Sequence, residues 1–227
     1  MVITMGIIPD EVKEHLKKEL EQAMVDEVRV VLFTQEIECP FCKETREIVE
    51  EAASLSPKIK VEAYDFVKHA EKVKEFGIVR IPAIAIVGKR DYGIRFYGIP
   101  SGYEFTAFIH DIIDVSKGTT SLLDTTKAKL KTVDRPIHIQ VFVLPTCPYC
   151  PSVVRTVHQF AIENELIKAD MIETSEFPQL TQKYAVMGVP KTVINEKVEV
   201  LGAAPEERMA DKVLEAQRAS TDMPTVV

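Results

Sequence analysis

The four cysteines of this 227-residue chain lie in two short motifs of the same form. Cys39 and Cys42 enclose Pro-Phe, and Cys147 and Cys150 enclose Pro-Tyr. Two cysteines three positions apart at the start of a helix lie on one helix face, so their sulfurs can form a reversible disulfide. The free N–H groups and the dipole of the helix N-terminus favour the thiolate over the thiol. The residue types and their spacing therefore predict thiol–disulfide exchange at two sites.

The two cysteines of each motif should have different roles. We expect the first, Cys39 and Cys147, to be the exposed nucleophiles, and the second, Cys42 and Cys150, to lie inside the helix start and resolve the mixed disulfide. Two glutamates closely precede Cys39 and none closely precedes Cys147. Because carboxylates disfavour a nearby thiolate, we expect Cys147 to have the more acidic thiol.

Two other uses of the cysteines are alternatives. Zinc ribbons also contain paired CxxC motifs, but the pairs are usually about 15–20 residues apart, whereas 104 residues lie between Cys42 and Cys147. Structural disulfides in the core are the second alternative. The proline after each first cysteine disfavours both alternatives, and we expect neither a metal ion nor an organic cofactor. The five histidines have no ligand-like spacing, and we expect them on the surface or on helix faces.

The similarity of the two halves extends beyond the cysteines. A shift of 108 positions aligns Cys39 with Cys147, and it also aligns Ile81-Pro82 with Val189-Pro190. Each motif is therefore followed, 43 residues later, by an apolar residue and a proline. Two unrelated CxxC motifs would not share a proline at the same distance, so the sequence predicts two copies of one unit.

The elements that position each motif follow the same order in both copies, α-β-α-β-α-β-β-α. Apolar strands predicted at residues 28–33 and 137–143 lead into the two motifs, and an amphipathic helix at 44–54 follows the first. A strand–helix–strand unit gives a parallel pair, and a hairpin adds antiparallel strands. We therefore predict an α/β fold of two tandem units, residues 1–117 and 118–227, each a mixed four-stranded sheet flanked by helices.

Composition excludes several classes of function. The net charge of −7 argues against nucleic acid or an anionic membrane as the main partner. No uncharged run reaches the 18 or more residues of a membrane helix, and residues 1–9 lack the basic start of a secretory signal. We expect a cytoplasmic protein. The abundance of Glu and Lys with few Asn favours a thermophilic source.

With these motifs and prolines, each half resembles the thioredoxin/glutaredoxin family, and Cys-Pro-Tyr-Cys is similar to the glutaredoxin motif. The tandem arrangement is similar to the protein disulfide oxidoreductases of thermophilic archaea and bacteria. The resemblance implies that each of the two prolines is in cis, faces its CxxC motif and receives the substrate backbone. The aromatic residues inside the motifs are further candidates for substrate contact. The substrate-binding candidates are Ile81, Pro82, Val189, Pro190, Phe41 and Tyr149.

The resemblance implies a protein dithiol–disulfide oxidoreductase that reduces, oxidises or isomerises disulfides of other proteins. It also implies an electron donor of the thioredoxin-reductase type, which is a flavoenzyme. One alternative is a glutathione-dependent glutaredoxin-like reductase, and another is a chaperone-like binding module with secondary redox activity. Thioredoxins carry a buried Asp six residues before the first cysteine. The aligned positions here are Phe33 and Val141, so the sequence identifies no proton acceptor for the resolving thiol.

Overall fold

The structure is a computed structural model that describes residues 7–219. The outer ends of the two predicted domains, residues 1–6 and 220–227, lie outside the described residues. The first half contains α1 (Asp10–Ala23), β1 (Val28–Thr34), α2 (Cys42–Ala53), β2 (Ile59–Asp65), α3 (Ala70–Glu75), β3 (Ala83–Val87), β4 (Asp91–Tyr97) and α4 (Glu104–Lys117). The second contains α5 (Asp124–Leu130), β5 (Ile137–Val143), α6 (Cys150–Glu163), β6 (Ile167–Glu173), α7 (Pro178–Lys183), β7 (Lys191–Ile194), β8 (Val198–Leu201) and α8 (Glu206–Ala219).

The predicted order of elements is confirmed in both halves, and each half is a thioredoxin-fold unit. In the first unit β1 pairs in parallel with β2 and antiparallel with β3, and β3 forms a hairpin with β4. The second unit repeats this pattern with β5, β6, β7 and β8. The helix predicted at 44–54 begins earlier, at Cys42, so the second cysteine of the motif is its first residue.

The two four-stranded sheets join edge to edge, which the sequence did not predict. Strand β4 pairs in parallel with β6, from Ile94 opposite Ala169 to Tyr97 opposite Ile172. The result is one eight-stranded sheet in the order β2-β1-β3-β4-β6-β5-β7-β8. Of the described strands, β2 and β8 lie at the edges of this sheet.

Apolar side chains cover both faces of the sheet, and their alternation follows the period of two in a strand. Along β1, Val28, Val30 and Leu32 belong to the larger core cluster, whereas Val31 and Phe33 belong to the smaller one. Residues of α1, α2, α4, α5, α6 and α8 contribute to the larger cluster, and side chains of α3 and α7 pack against the smaller one. The sheet is therefore a buried layer between two unequal helical layers.

Both CxxC motifs lie at one edge of this layer. The strands β1, β2, β4, β5 and β6 run in the same direction, so their carboxyl ends meet at that edge. Each motif follows the end of its strand, β1 or β5. Four strand spacings separate β1 from β5, which places the two sites about 19 Å apart at ~4.8 Å per strand.

Helices α4 and α6 form the contact between the units on the larger helical layer. Near their starts, the N–H of Tyr103 donates to the carbonyl of Pro145 over 3.0 Å. Two turns further along, Asp111 Oδ2 lies 2.5 Å from His158 Nδ1. The helices therefore run side by side in the same direction. His158, expected on the surface or on a helix face, lies on α6 and is fully buried, because Asp111 supplies the polar partner that a buried imidazole requires.

Within residues 7–219, no helix is both long enough and apolar enough to span a membrane.

Candidate redox sites

The first motif is closed as a disulfide at the start of α2. Cys39 and Cys42 are bonded, with their Cα atoms 5.4 Å apart. Cys42 is buried and accepts a hydrogen bond from the Gln35 N–H at 3.4 Å, whereas Cys39 is partly exposed. This arrangement agrees with the predicted difference between an accessible and a protected cysteine in the first motif.

The second motif has the same bond in a more enclosed setting. Cys147 and Cys150 are bonded, with Cα atoms 5.5 Å apart, at the start of α6. Cys150 is fully buried, but Cys147 is also only 7% exposed, so the prediction of an exposed nucleophile is wrong for Cys147 in this oxidised form. The reason is that Cys147 belongs to the larger core cluster; in addition, the N–H of Tyr103 in the first unit donates to the carbonyl of Pro145, two residues before Cys147.

The predicted order of thiol acidity stays a prediction, because all four cysteines are in disulfides and have no thiol to titrate.

A cis-proline precedes the third strand of each unit. The Ile81-Pro82 and Val189-Pro190 peptide bonds are both cis, which confirms the predicted conformation. The carbonyl of Pro82 accepts a hydrogen bond from Gly98, and that of Pro190 accepts one from Gly202, over 3.0 and 2.8 Å. Each proline is thus fixed at the edge of the sheet where its motif lies.

The surfaces beside the two motifs differ in character. A cavity of about 380 Å³ is lined by both cysteines of the first motif, together with Lys43 and Arg46. Beside the second motif, a cavity of about 240 Å³ is lined mainly by apolar and hydroxyl residues, among them Met187 and Val189. Phe41, 41% exposed, and Tyr149, 68% exposed, present aromatic surface inside the motifs.

A buried carboxyl group lies at the second site, and sequence reasoning missed it. Glu104, the first residue of α4, is 1% exposed, and neither of its carboxyl oxygens has a hydrogen-bond partner. Glu104 precedes Asp111 by two helical turns on the same face, as Cys150 precedes His158 by about two turns on α6. Since Asp111 contacts His158, Tyr103 contacts Pro145 and the helices are parallel, the first turn of α4, which contains Glu104, lies beside the start of α6, which contains Cys150.

The environment of Glu104 favours its neutral form. Burial, followed by the nearby charge of Asp111, raises the pKa of Glu104 to about 8. A sequence signal exists in the helix, where Glu104, Asp111 and Asp114 recur among the apolar residues of α4. Acidic residues on the apolar face of a helix indicate either a polar interface or a functional group.

The segment between β4 and α4 reaches both sites. At its start Gly98 donates to Pro82 of the first site, and at its end Tyr103 donates to Pro145 of the second. Between them, the Ile99 N–H donates to Glu176 Oε1 over 2.6 Å. Burial, followed by the negative charges of Glu173 and Glu44, raises the pKa of Glu176 to about 7. We call residues 98–103 the connecting segment.

Comparison with known proteins agrees with this geometry. A thioredoxin-domain family (Thioredoxin_3) matches residues 137–215. The crystal structure of a protein disulfide oxidoreductase from Aeropyrum pernix K1 is 31% identical, with a TM-score of 0.87, and the match covers 93% of this chain and 94% of that one. The NTD_N/C domain of alkylhydroperoxide reductase AhpF from Enterococcus faecalis matches with a TM-score of 0.84 at 24% identity, over 91% of this chain and 99% of that one, which shows the shared fold.

Curated relatives are longer proteins. An NADH dehydrogenase of Bacillus subtilis is 26% identical over 182 residues, which are 80% of this chain and 34% of the relative. An alkyl hydroperoxide reductase component of Staphylococcus aureus is 27% identical over 67% of this chain and 28% of the relative. The chain thus spans about a third of the length of these relatives or less.

The match to the Aeropyrum pernix protein extends over nearly the whole of both chains and includes both units. It coincides with two CxxC disulfides on two thioredoxin-fold units. The chain belongs to the protein disulfide oxidoreductase family.

Proposed function

We propose that both motifs exchange disulfides with other proteins, and that Cys39, Cys42, Cys147 and Cys150 are the catalytic residues. The observation that supports this most strongly is the matched geometry of the sites. Each disulfide lies at the start of a helix, at the same sheet edge as its own cis-proline.

The reaction proceeds by two thiol–disulfide exchanges. In the reduced first site, the Cys39 thiolate attacks one sulfur of the substrate disulfide, forms a mixed disulfide and releases one substrate thiolate. The Cys42 thiolate then attacks the Cys39 sulfur, releases the second substrate thiolate and leaves the protein disulfide. Cys147 and Cys150 perform the same steps at the second site. The reverse sequence oxidises a dithiol, and release at the mixed stage permits isomerisation.

The surface beside each motif suits an extended polypeptide. We assign substrate contact to Ile81, Pro82 and Phe41 at the first site. At the second, the corresponding residues are Val189, Pro190 and Tyr149. Met187, next to Val189 and Pro190, is 94% exposed. An unfolded polypeptide can therefore make apolar contacts there.

We assign proton transfer at the second site to Glu104. Resolution requires Cys150 to lose its proton, and burial of a thiol raises its pKa. A carboxyl with a pKa of about 8 is better matched to such a thiol than one at the ordinary value near 4.5, and proton transfer is most efficient between matched groups. Glu104 thus fills, from the first unit, the role that the sequence left without a candidate.

Three further assignments rest on the family resemblance and on chain geometry. The electron donor is a flavoenzyme of the thioredoxin-reductase type, and the protein works in the cytoplasm. We place the domain boundary at residues 117 and 118, and the end of α4 at Lys117, followed by Gly118 at φ 67°, supports it.

Reduction of insulin by dithiothreitol tests the function. We expect Cys39→Ser and Cys147→Ser each to retain activity, and the double variant to lose it. Full activity in the double variant would contradict the mechanism. Acceleration by glutathione would favour the glutathione-dependent alternative. The binding module would be favoured by two results together. The native protein would not reduce insulin, and the double variant would still suppress protein aggregation.

A further inference from the structure

The first redox site differs from the second in its charged side chains. Lys43 and Arg46, on the first two turns of α2, line the same cavity as both cysteines of the first motif. A shift of 108 positions aligns them with Pro151 and Val154 of the second unit, which carry no charge. The paired cations are therefore a property of the first site alone.

The position of Arg46 directs it to the end of β1. Its Nη2 donates a hydrogen bond to Thr34 Oγ1 over 3.1 Å, and the next residue, Gln35, donates its N–H to the sulfur of Cys42. Lys43 follows Cys42 directly, and its side chain is 81% exposed, 3.8 Å from Glu47. Both cations thus line the cavity of the first motif and are exposed to solvent.

Two carboxylates lie near these two cations. Glu36 also lines the cavity, and Glu47 lies 3.8 Å from Lys43 but is not among the lining residues, so the lining itself carries one more cation than carboxylate. The start of α2 adds its partial positive charge at the same place. At about 380 Å³, the cavity has the size of a small-molecule site. The protein as a whole carries a net charge of −7, so this local excess of positive charge stands against the overall sign.

We propose that the first site also reduces low-molecular-weight disulfides that carry carboxylates, and that it prefers them over uncharged and cationic ones. This inference rests on the proposed function, because it uses the same exchange. The Cys39 thiolate attacks R–S–S–R and releases RS⁻, and Cys42 then displaces the second RS⁻, so one disulfide is reduced and the Cys39–Cys42 disulfide forms. In the mixed disulfide, the carboxylate lies a few bonds from the Cys39 sulfur, within reach of Lys43 and Arg46.

Three disulfides of nearly equal size separate charge from shape. They are 3,3′-dithiodipropionate, which is anionic, 2-hydroxyethyl disulfide, which is neutral, and cystamine, which is cationic. Each is mixed with the fully reduced Cys147→Ser/Cys150→Ser protein, in which only the first site works, and the second-order rate constant for loss of protein thiols is measured. The Cys39→Ser/Cys42→Ser protein, which has the same net charge, reports the second site.

We expect the rate ratio of the anionic to the neutral disulfide to be about three- to tenfold higher at the first site than at the second, as two solvent-exposed ion pairs allow. The rate ratio of cystamine to the neutral disulfide should be lower at the first site than at the second. Lys43→Gln/Arg46→Gln should remove the difference. Lys60→Gln/Lys89→Gln, which removes the same charge from exposed side chains elsewhere, should leave it.

Comparing rate ratios, rather than rates, removes any effect of the two cations on the reactivity of Cys39 itself. Equal ratios at the two sites, or an unchanged ratio in Lys43→Gln/Arg46→Gln, would overturn the inference and leave the exchange reaction intact. A first site that reduces insulin but none of the three small disulfides would likewise overturn the inference, whereas a Cys147→Ser/Cys150→Ser protein that does not reduce insulin would contradict the proposed function of that site.

Discussion

Asp111 and His158 come from different halves of the chain, and their side chains meet in the interior. Oδ2 of Asp111 lies 2.5 Å from Nδ1 of His158, and both side chains are fully buried. Burial raises the pKa of Asp111, against the opposing effect of His158. A polar pair excluded from water holds its partners in one geometry, because each would be without a partner if the other moved. The pair therefore fixes α4 against α6.

Removing one partner of this pair should destabilise the whole molecule. We expect Asp111→Ala to lower the free energy of unfolding by about 3–5 kcal/mol, the usual effect of leaving one member of a buried pair alone. Urea unfolding measures this loss. As a control, Asp211→Ala removes the exposed partner of Lys129 and should cost under about 1 kcal/mol. Similar losses in the two variants would show that the buried pair contributes little.

Glu104 should make stability depend on pH. Its pKa is raised to about 8 in the folded chain and returns to its ordinary value near 4.5 on unfolding. Between these values the folded chain binds one more proton than the unfolded chain, so the native protein loses stability as pH rises through this window. Glu104→Gln removes this loss, and we expect its Tm to match the native value at pH 5 and to exceed it at pH 9.

Thermal unfolding of the oxidised proteins from pH 5 to 9 measures this difference. Parallel Tm curves for the two proteins would show that the group ionises normally. The same variant should slow resolution at the second site and leave the first site unchanged, because the first turn of α4, which contains Glu104, lies beside the start of α6.

The connecting segment provides a test of its packing at Gly102. This residue has φ 59°, and a Cβ there would overlap the carbonyl oxygen of Pro145. Gly77 has a similar φ of 63°, but a Cβ there would meet no atom within 4 Å. Alanine at either position requires a left-handed backbone at a cost of about 1–2 kcal/mol.

Only Gly102→Ala also displaces the loop before Cys147. We therefore expect Gly102→Ala to lower Tm further than Gly77→Ala and to slow exchange at the second site. Measurement of Tm and of single-site insulin reduction distinguishes the two effects. Equal behaviour of the two alanine variants would mean that the segment adjusts without affecting Pro145.

Met187 tests the polypeptide groove of the second site. We expect Met187→Asp to raise the KM for a protein disulfide about fivefold, since it removes on the order of 1 kcal/mol of apolar contact. The rate with 2-hydroxyethyl disulfide should not change. Val25→Asp replaces another exposed apolar side chain, just beyond the end of α1. It should change neither the KM for the protein disulfide nor the rate with 2-hydroxyethyl disulfide. A general loss of activity in Met187→Asp would contradict a role in substrate binding.

The sequence contains enough information to predict each unit and the location of both motifs. Two CxxC motifs with prolines at one spacing defined the repeat, and apolar alternation defined strands such as β1. These signals are local, and therefore they survive in a single sequence. The cis conformation of Pro82 and Pro190 was predicted from the resemblance to the thioredoxin/glutaredoxin family, which the CxxC motifs and these two prolines support.

Contacts between the units were not predictable in this way. Ile94 and Phe96 in β4 have the pattern of a buried strand, but the pattern does not identify β6 as the neighbour. The burial of His158 depends on Asp111 of the other unit, and the loop before Cys147 accepts a backbone hydrogen bond from Tyr103 of that unit. Each is a pairwise relationship between distant parts of the chain, which periodicity and propensity do not encode.

The pairing of β4 with β6 limits how the molecule can be divided. A half produced alone would carry a bare strand at the junction, with unpaired N–H and C=O groups beside Ile94 and Phe96 or beside Ala169, all fully buried in the whole chain. Such an edge is a template for pairing with further chains. We therefore expect a cut after residue 117 to yield two aggregation-prone fragments, although the chain consists of two copies of one unit.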